Sequence, residues 1–353
     1  MTEHTATKHH DTGHRGSAAR SPAIRTSGLT KQFGDLAAVD DLDLQVEVGE
    51  IFGFLGPNGA GKSTTIRLLL DQLRPTSGAA DVLGLGIGTD SLKIRRRIGY
   101  VPGDLALYPK MTGQQTIDYF ADLRGGVDPA YVAELAERLD ADLTRKVGEY
   151  STGNRQKIGL IQAFMHRPEL LILDEPNAGL DPLVQQTFQE MLREVRAQGR
   201  TVFLSSHTLS EVERVADRVG IIRHGRLVVV ERIDELKRKA ISRLDFEFAG
   251  PVPADLFDAV EGAHDVEIDG AHAEVAYTGS VNSVLRAATR HEVIALHSRD
   301  ADLEEIFLAY YRDSAETPAV PNGDALTDSS HPAHGSGPAA PRAQAVTQDN
   351  HVR

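Results

Sequence analysis

The run Gly56-Pro57-Asn58-Gly59-Ala60-Gly61-Lys62-Ser63-Thr64 fills the pattern G-x-x-x-x-G-K-[ST], whose glycines, lysine and hydroxyl are spaced to hold phosphate. Gly56, Gly59 and Gly61 allow backbone torsions that a side chain forbids, so successive amide groups can turn toward an anion. Lys62 then reaches the β- and γ-phosphates of a nucleotide, and the Ser63 hydroxyl takes a Mg2+ position. A helix starting at Gly61 points its positive end at the same anion.

A second group carries the complementary chemistry. Leu170-Leu171-Ile172-Leu173-Asp174-Glu175 reads as an apolar strand ending in two carboxylates, at the sheet edge where open α/β sheets bind ligands. Asp174 would contact Mg2+ through water. Glu175, one residue on, can polarise the water that attacks a γ-phosphate. Arg95-Arg96-Arg97 reads as a solvated strand entrance rather than as a phosphate patch.

These groups need elements to position them. Ile51 to Leu55 is apolar on both faces and reads as a buried strand feeding the glycine loop. The following helix sets Ile66, Leu69, Leu70 and Leu73 on one face and stops before Pro75. Leu42, Leu44, Val46 and Val48 alternate with polar residues as in a half-buried strand, and short strands are expected near Ala79 to Leu83 and Arg97 to Val101. Between Gln114 and Leu139 the spacing suits two amphipathic helices. Thr201 to Leu204 is another buried strand, preceded by a helix over Pro182 to Gln198. Strands alternating with helices predict a largely parallel α/β sheet.

From about Ile241 the texture changes. Leu244 to Phe248, Asp265 to Ile268, His272 to Tyr277 and Glu292 to Leu296 read as strands, and Ala254 to Val260 and Ser280 to Arg290 as helices. That βαββαβ order predicts a small ferredoxin-like α+β unit, closed by a helix over Leu303 to Tyr311. The aperiodic polar lead-in, residues 1–22, and the Ala-, Pro- and Gly-rich end, residues 314–353, read as disordered tails. His4, His9, His10 and His14 sit in that lead-in, where nothing would hold them in metal-binding geometry.

With 353 residues, 41% of them apolar and 25% charged, the chain has material for two folded units and a sizeable core. A net charge of -13 disfavours a nucleic-acid partner, which usually meets a basic balance. The absence of cysteine excludes a disulfide scaffold and a thiolate zinc site. No apolar run approaches the ~18 residues of a membrane-spanning helix, and the first residues lack a signal-peptide core. Nucleotide use points to the cytosol, with any membrane work done by another chain.

A phosphate loop alone does not tell a kinase, a GTPase, a helicase or a transporter motor apart. Other runs narrow the choice. Asp174-Glu175-Pro176-Asn177-Ala178-Gly179-Leu180-Asp181-Pro182, Tyr150-Ser151-Thr152-Gly153-Asn154-Arg155-Gln156 and Ser205-Ser206-His207-Thr208 stand in order behind the loop. Over roughly Ile24 to Lys237 the chain resembles the ATP-binding subunit of an ABC transporter, closest in its Asn154-Arg155-Gln156-Lys157 continuation to ABC-2-type drug and antibiotic exporters.

The resemblance implies an ABC-type P-loop NTPase over 23–238, with a helical subdomain over about 105–167 and an α+β accessory domain over 239–313. It implies that Asp174 and Glu175 are the Walker B pair with Glu175 as base, that Asp181 belongs to the D-loop, and that His207 is the switch histidine holding the γ-phosphate and water in line. Phe33 stands where an aromatic ring stacks on adenine. Ser151, Thr152, Gly153 and Asn154 stand at the signature, a second helix end that would meet the ATP of a second copy across a head-to-tail dimer.

Two positions depart from the family pattern. Thr152 replaces the first signature glycine. Gly103 and Asp104 follow Ile98 to Pro102 where the Q-loop glutamine is usual, and whether Asp104 substitutes for it is open. The implied cofactors are ATP and Mg2+, and the implied partners are a second copy and a polytopic membrane permease at the cytoplasmic face of the membrane. The function expected is a motor driving efflux of a hydrophobic, drug-like or antibiotic compound. The alternative is a soluble ABC-type ATPase acting on nucleic acid or ribosomes, although such relatives typically carry a second cassette, long coiled coils or zinc cysteines. No N-K-x-D run for reading guanine occurs.

Overall fold

A computed structural model describes residues 21–239 and 242–299. The expected tails, the four lead-in histidines and the helix over Leu303 to Tyr311 lie outside the described residues. The chain opens with β1 (Ile24–Phe33), β2 (Leu36–Leu42), β3 (Gln45–Val46) and β4 (Ile51–Leu55), which leads to α1 (Lys62–Leu69). Next come β5 (Ser77–Val82), β6 (Leu85–Gly86), α2 (Ser91–Arg97) and β7 (Ile98–Val101). The helices α3 (Gly113–Leu123), α4 (Pro129–Arg138) and α5 (Thr152–Phe164) follow without an intervening strand of their own. The α/β order resumes with β8 (Leu170–Asp174), α6 (Pro182–Ala197), β9 (Thr201–Ser206), α7 (Leu209–Glu213), β10 (Arg218–Arg223), β11 (Arg226–Arg232) and α8 (Ile233–Lys239).

The central sheet runs β11-β10-β4-β9-β8-β7, with every pair parallel except β10 with β11. This bears out the expectation of a largely parallel sheet. Its core explains the unbroken apolar runs: Ile51 and Leu55 pack into one apolar cluster, whereas Phe52 and Phe54 pack into another on the opposite face. Leu171 and Leu173 likewise face the first cluster, and Leu170 and Ile172 the second. A second, antiparallel sheet of β2-β1-β5-β6, with β3 on β1, is an addition that the sequence reading did not separate.

Several boundaries differ from expectation for local reasons. The alternation through Val48 is not one strand: β2 ends at Leu42, β3 covers two residues, and Val48 is 41% exposed. Arg95, Arg96 and Arg97 form the last turn of α2 rather than a strand entrance. Arg95 and Arg97 are tied down as well, since Arg95 donates to the Leu70 and Asp71 carbonyls at 3.1 and 2.9 Å just past α1, and Arg97 pairs with Glu169 at 2.7 Å. Cations over helix-end carbonyls satisfy acceptors that the helix leaves open.

The site helices begin where their caps dictate. Thr112 and Gln115 form a reciprocal capping box for α3, Asp128 caps α4 ahead of Pro129, and Asp181 caps α6 ahead of Pro182. Past α8 lie β12 (Ser242–Phe248), β13 (Ala263–Asp269), β14 (His272–Tyr277), α9 (Val281–Ala288) and β15 (Val293–Arg299). Their antiparallel order β13-β14-β12-β15 is that of a ferredoxin-like sheet, with its own apolar cluster around Phe246, Phe248 and Phe257. The expected helix over Ala254 to Val260 is instead a chain of three-residue-spaced turns, with Leu256, Asp258 and Val260 amides bonded to Pro253, Asp255 and Phe257 carbonyls.

Candidate nucleotide site

β4 delivers the chain to Gly56, whose amide bonds the Ser206 carbonyl at 3.3 Å and so anchors the loop on β9. A side chain at Gly56 would meet the Ile222 carbonyl at 2.5 Å, and Gly61 holds φ +110, so both positions require glycine. Lys62, 6% exposed, folds back over the loop, with Nζ 2.6 Å from the Gly56 carbonyl and 3.2 Å from Glu175 Oε1. Its partners here are all oxygens, the same chemistry that phosphate presents.

On the facing side, β8 ends in Asp174 and Glu175. Asp174 is buried, and its Oδ1 accepts from Ser205 Oγ at 2.5 Å. Glu175 holds φ +50, a left-handed backbone that is uncommon for a residue with a side chain. Its amide donates to both Ser205 oxygens, at 3.3 Å to the carbonyl and 3.1 Å to Oγ, which secures that geometry. Glu175 Oε2 lies 2.8 Å from His207 Nδ1. The His207 loop is in turn fixed by Ser206 Oγ, which donates to Glu211 at 2.7 Å and accepts from the Thr208 amide at 3.0 Å. Burial and then the neighbouring Asp174 charge push the Tyr100 phenol up to about 12, so it stays protonated beside the carboxylate.

A cavity of about 310 Å3 is lined by Pro57, Asn58, Gly59, Gly61, Lys62, Ser63, Thr64 and Glu175. Its remaining wall is Leu36, Ala37, Ala38 and His224, which motif reading missed because none belongs to a recognisable pattern. Phe33 lies next to this wall, paired with Leu36 in the β1–β2 ladder, with Lys31 Nζ 5.0 Å from its ring.

A divalent metal fits the donors present. The Ser63 hydroxyl has no hydrogen bond to a described residue, and Asp174 Oδ2 faces Gly103, where a Cβ would stand 3.3 Å away. Hard oxygen donors of this number suit Mg2+, which takes one or two protein ligands and completes its shell with water and phosphate. No cluster of three acidic, histidine or cysteine residues occurs among the described residues. Asp104, beside Gly103, is exposed and makes no side-chain hydrogen bond to a described residue.

The signature residues occupy a different place. Ser151 caps α5, its Oγ accepting from the Asn154 amide at 3.2 Å, and it lines a separate cleft of about 580 Å3 with Gly153, Asn154, Gly179 and Asp181. None of these residues lines the Lys62 cavity. The Thr152 methyl lies at the edge of Gly179, which holds φ +74, where a Cβ on Gly179 would stand 3.2 Å from it. Gly153 sits so close to the Gly179 carbonyl that a Cβ would approach to 2.3 Å. Gln156 Nε2, donating to the Pro176 carbonyl at 2.9 Å, ties α5 to the segment after Glu175. Asp181 serves as the α6 cap, which holds its carboxyl below the usual range through the Val184 amide.

Comparison with known proteins adds an independent line. Residues 39–178 match the model of the ABC transporter family. The chain is 34% identical over 297 residues to the bacitracin transport ATP-binding protein BcrA of Bacillus licheniformis, an alignment covering 82% of this chain and 97% of the relative. It is 34% identical over 286 residues to the Nod factor export ATP-binding protein I of Burkholderia orbicola, covering 79% and 94% of the two chains. A solved ATP-binding subunit of an ABC transporter superposes with a TM-score of 0.56 at 30% identity, covering 62% of this chain and 92% of that one.

Proposed function

Given that this chain belongs to the ABC transporter family as an ATP-binding subunit, we propose that two copies close around two ATP molecules and drive efflux through a separate membrane permease. The observation that carries the reading is Glu175, held in a left-handed backbone between Lys62 and His207 at 3.2 and 2.8 Å. Lys62 exchanges the Glu175 carboxylate for γ-phosphate oxygens. Glu175, so released, takes the proton of the water attacking the γ-phosphorus, and the bond to the bridging oxygen breaks to leave ADP and phosphate. His207 orients that water and the γ-phosphate. Ser63 and Asp174 would hold Mg2+, which would supply positive charge for the phosphate oxygens.

Residues 56–64 bind the phosphates, and Phe33 stacks on the adenine. Ser151, Thr152, Gly153 and Asn154 present the amide end of α5 to the nucleotide of the other copy, and Asp181 lies at the same seam. Gly103 and Asp104 replace the usual Q-loop glutamine beside Asp174. The cassette covers 23–238 with its helical subdomain over about 105–167, and the α+β unit over 239–313 is an accessory domain.

No helix among the described residues is long and apolar enough to cross a membrane, so a membrane partner supplies the pathway. The protein acts at the cytoplasmic face. The functions named for the relatives, bacitracin transport and Nod factor export, support export of a hydrophobic, drug-like or antibiotic compound. Alignment over 97% of a transport ATP-binding protein favours this motor over a soluble factor acting on nucleic acid or ribosomes. The test is phosphate release from ATP by the full chain and by Lys62→Ala. Turnover in the first and its loss in the second support the reading; equal rates in both overturn it.

A further inference from the structure

The β10–β11 turn is stitched to the phosphate loop. The Gly225 amide bonds the Ala60 carbonyl at 2.9 Å, and the Gly225 carbonyl accepts from the Asp40 amide at 2.9 Å. Arg226, next in the turn, pairs with Asp40 at 2.7 Å. A Cβ on Gly225 would sit on a left-handed backbone, 3.1 to 3.2 Å from the Ala37 and Ala38 carbonyls and the Val39 Cα. The turn is therefore packed and bonded directly against the loop, and whatever it carries stands beside the loop.

It carries His224. This residue has φ +48, an arrangement that a side chain adopts at some cost and that histidine tolerates better than most. Its imidazole is exposed, lines the cavity with Lys62 and Ser63, and has no hydrogen bond or ion pair to any described residue. Beside it lie Leu36, Ala37 and Ala38, an apolar wall without donors on its side chains. Among the lining residues outside the phosphate loop and Glu175, His224 alone can donate a side-chain hydrogen bond.

We infer that His224 is a nucleotide-binding residue that contacts the sugar and α-phosphate of the bound nucleotide. This rests on the nucleotide reading of the site and extends it to a residue outside every motif. The β- and γ-phosphates are served by the loop amides and Lys62, so the imidazole adds a contact only to ligands that carry the α-phosphate and ribose. One such hydrogen bond corresponds to about a threefold to tenfold gain in affinity.

The experiment compares the full chain with His224→Gly, which tolerates the left-handed backbone and carries no side-chain donor, and with His224→Arg, which restores a donor. Binding of ATP, ADP and inorganic pyrophosphate is measured with Mg2+ present, together with kcat and KM for ATP. The expected result for His224→Gly is about threefold to tenfold weaker ATP and ADP binding, unchanged pyrophosphate binding and a kcat within about twofold, with affinity recovered in His224→Arg. ATP and ADP affinities equal to wild type in His224→Gly overturn the inference. So does an equal loss for pyrophosphate, which would mean that the change acts through the Gly225 to Ala60 bond. Failure of the unaltered protein to bind ATP strikes the underlying nucleotide reading instead and is seen before any variant is compared.

Discussion

Lys62 Nζ and Glu175 Oε1 stand 3.2 Å apart, a pair joining the phosphate loop after β4 to the carboxylate after β8, on strands separated by β9. Lys62 is almost fully buried, so its charge depends on oxygen partners in this small space. Glu175→Gln keeps the shape and removes the base. ATP binding is expected to persist while turnover falls by about a hundredfold or more, read by filter binding and phosphate release. Turnover at the wild-type rate would remove Glu175 from the role of base.

His207 holds the second Glu175 oxygen at 2.8 Å while remaining more than half exposed. His207→Ala is expected to lower kcat by at least about tenfold and to leave ATP affinity within about threefold, because the loop contacts to phosphate stay intact. Steady-state kinetics beside equilibrium binding distinguish the two effects. A variant that loses affinity with kcat unchanged would place His207 in binding alone.

Gly179 joins the signature to the segment after Glu175. Gly179→Ala puts a Cβ on a left-handed backbone and 3.2 Å from both the Gly153 amide nitrogen and the Thr152 methyl. The expected cost is about 1–2 kcal/mol, seen as a lower midpoint in denaturant. Combining it with Thr152→Gly relieves one of the two contacts, so the double variant recovers part of that loss.

His166 Nε2 lies 3.0 Å from the Ile98 carbonyl, and burial, then the Arg124 charge, lower its pKa to about 4. The folded protein holds this imidazole neutral while the unfolded chain protonates it near 6.5. Above that pH the group costs nothing; as pH falls from about 6.5 toward 4 the unfolded state binds the extra proton and stability drops. Thermal melts from pH 7 to pH 4.5 are expected to fall less steeply for His166→Gln than for the unaltered protein. Parallel slopes would contradict this.

The phosphate loop and the Asp174-Glu175 pair were legible because each is contiguous and its chemistry follows from residue type. The positions of β4, β8 and β9 were legible too, since strands buried on both faces leave unbroken apolar runs. What the sequence did not disclose depends on distant neighbours. Ser205 earns its place only by bonding Asp174 and the Glu175 amide across two strands. Leu36, Ala37, Ala38 and His224 enter the cavity because the antiparallel sheet and the β10–β11 turn fold against the loop. The arginines of α2 looked like a solvated run because no local pattern signals that Arg95 bonds the end of α1 and Arg97 bonds Glu169. Residues 254–260 have helix-like spacing, but the Leu256, Asp258 and Val260 amides bond carbonyls three residues back, as separate turns.

The central claim is that ATP holds two chains together through the Ser151 end of α5. Sedimentation of full-length Glu175→Gln, with and without ATP and Mg2+, tests it most directly, alongside the same protein carrying Ser151→Arg. The account predicts a monomer without nucleotide, a dimer with ATP, and a monomer that still binds ATP once Ser151→Arg is added. A mass that ignores ATP, or a Ser151→Arg protein that dimerises as readily, would contradict it.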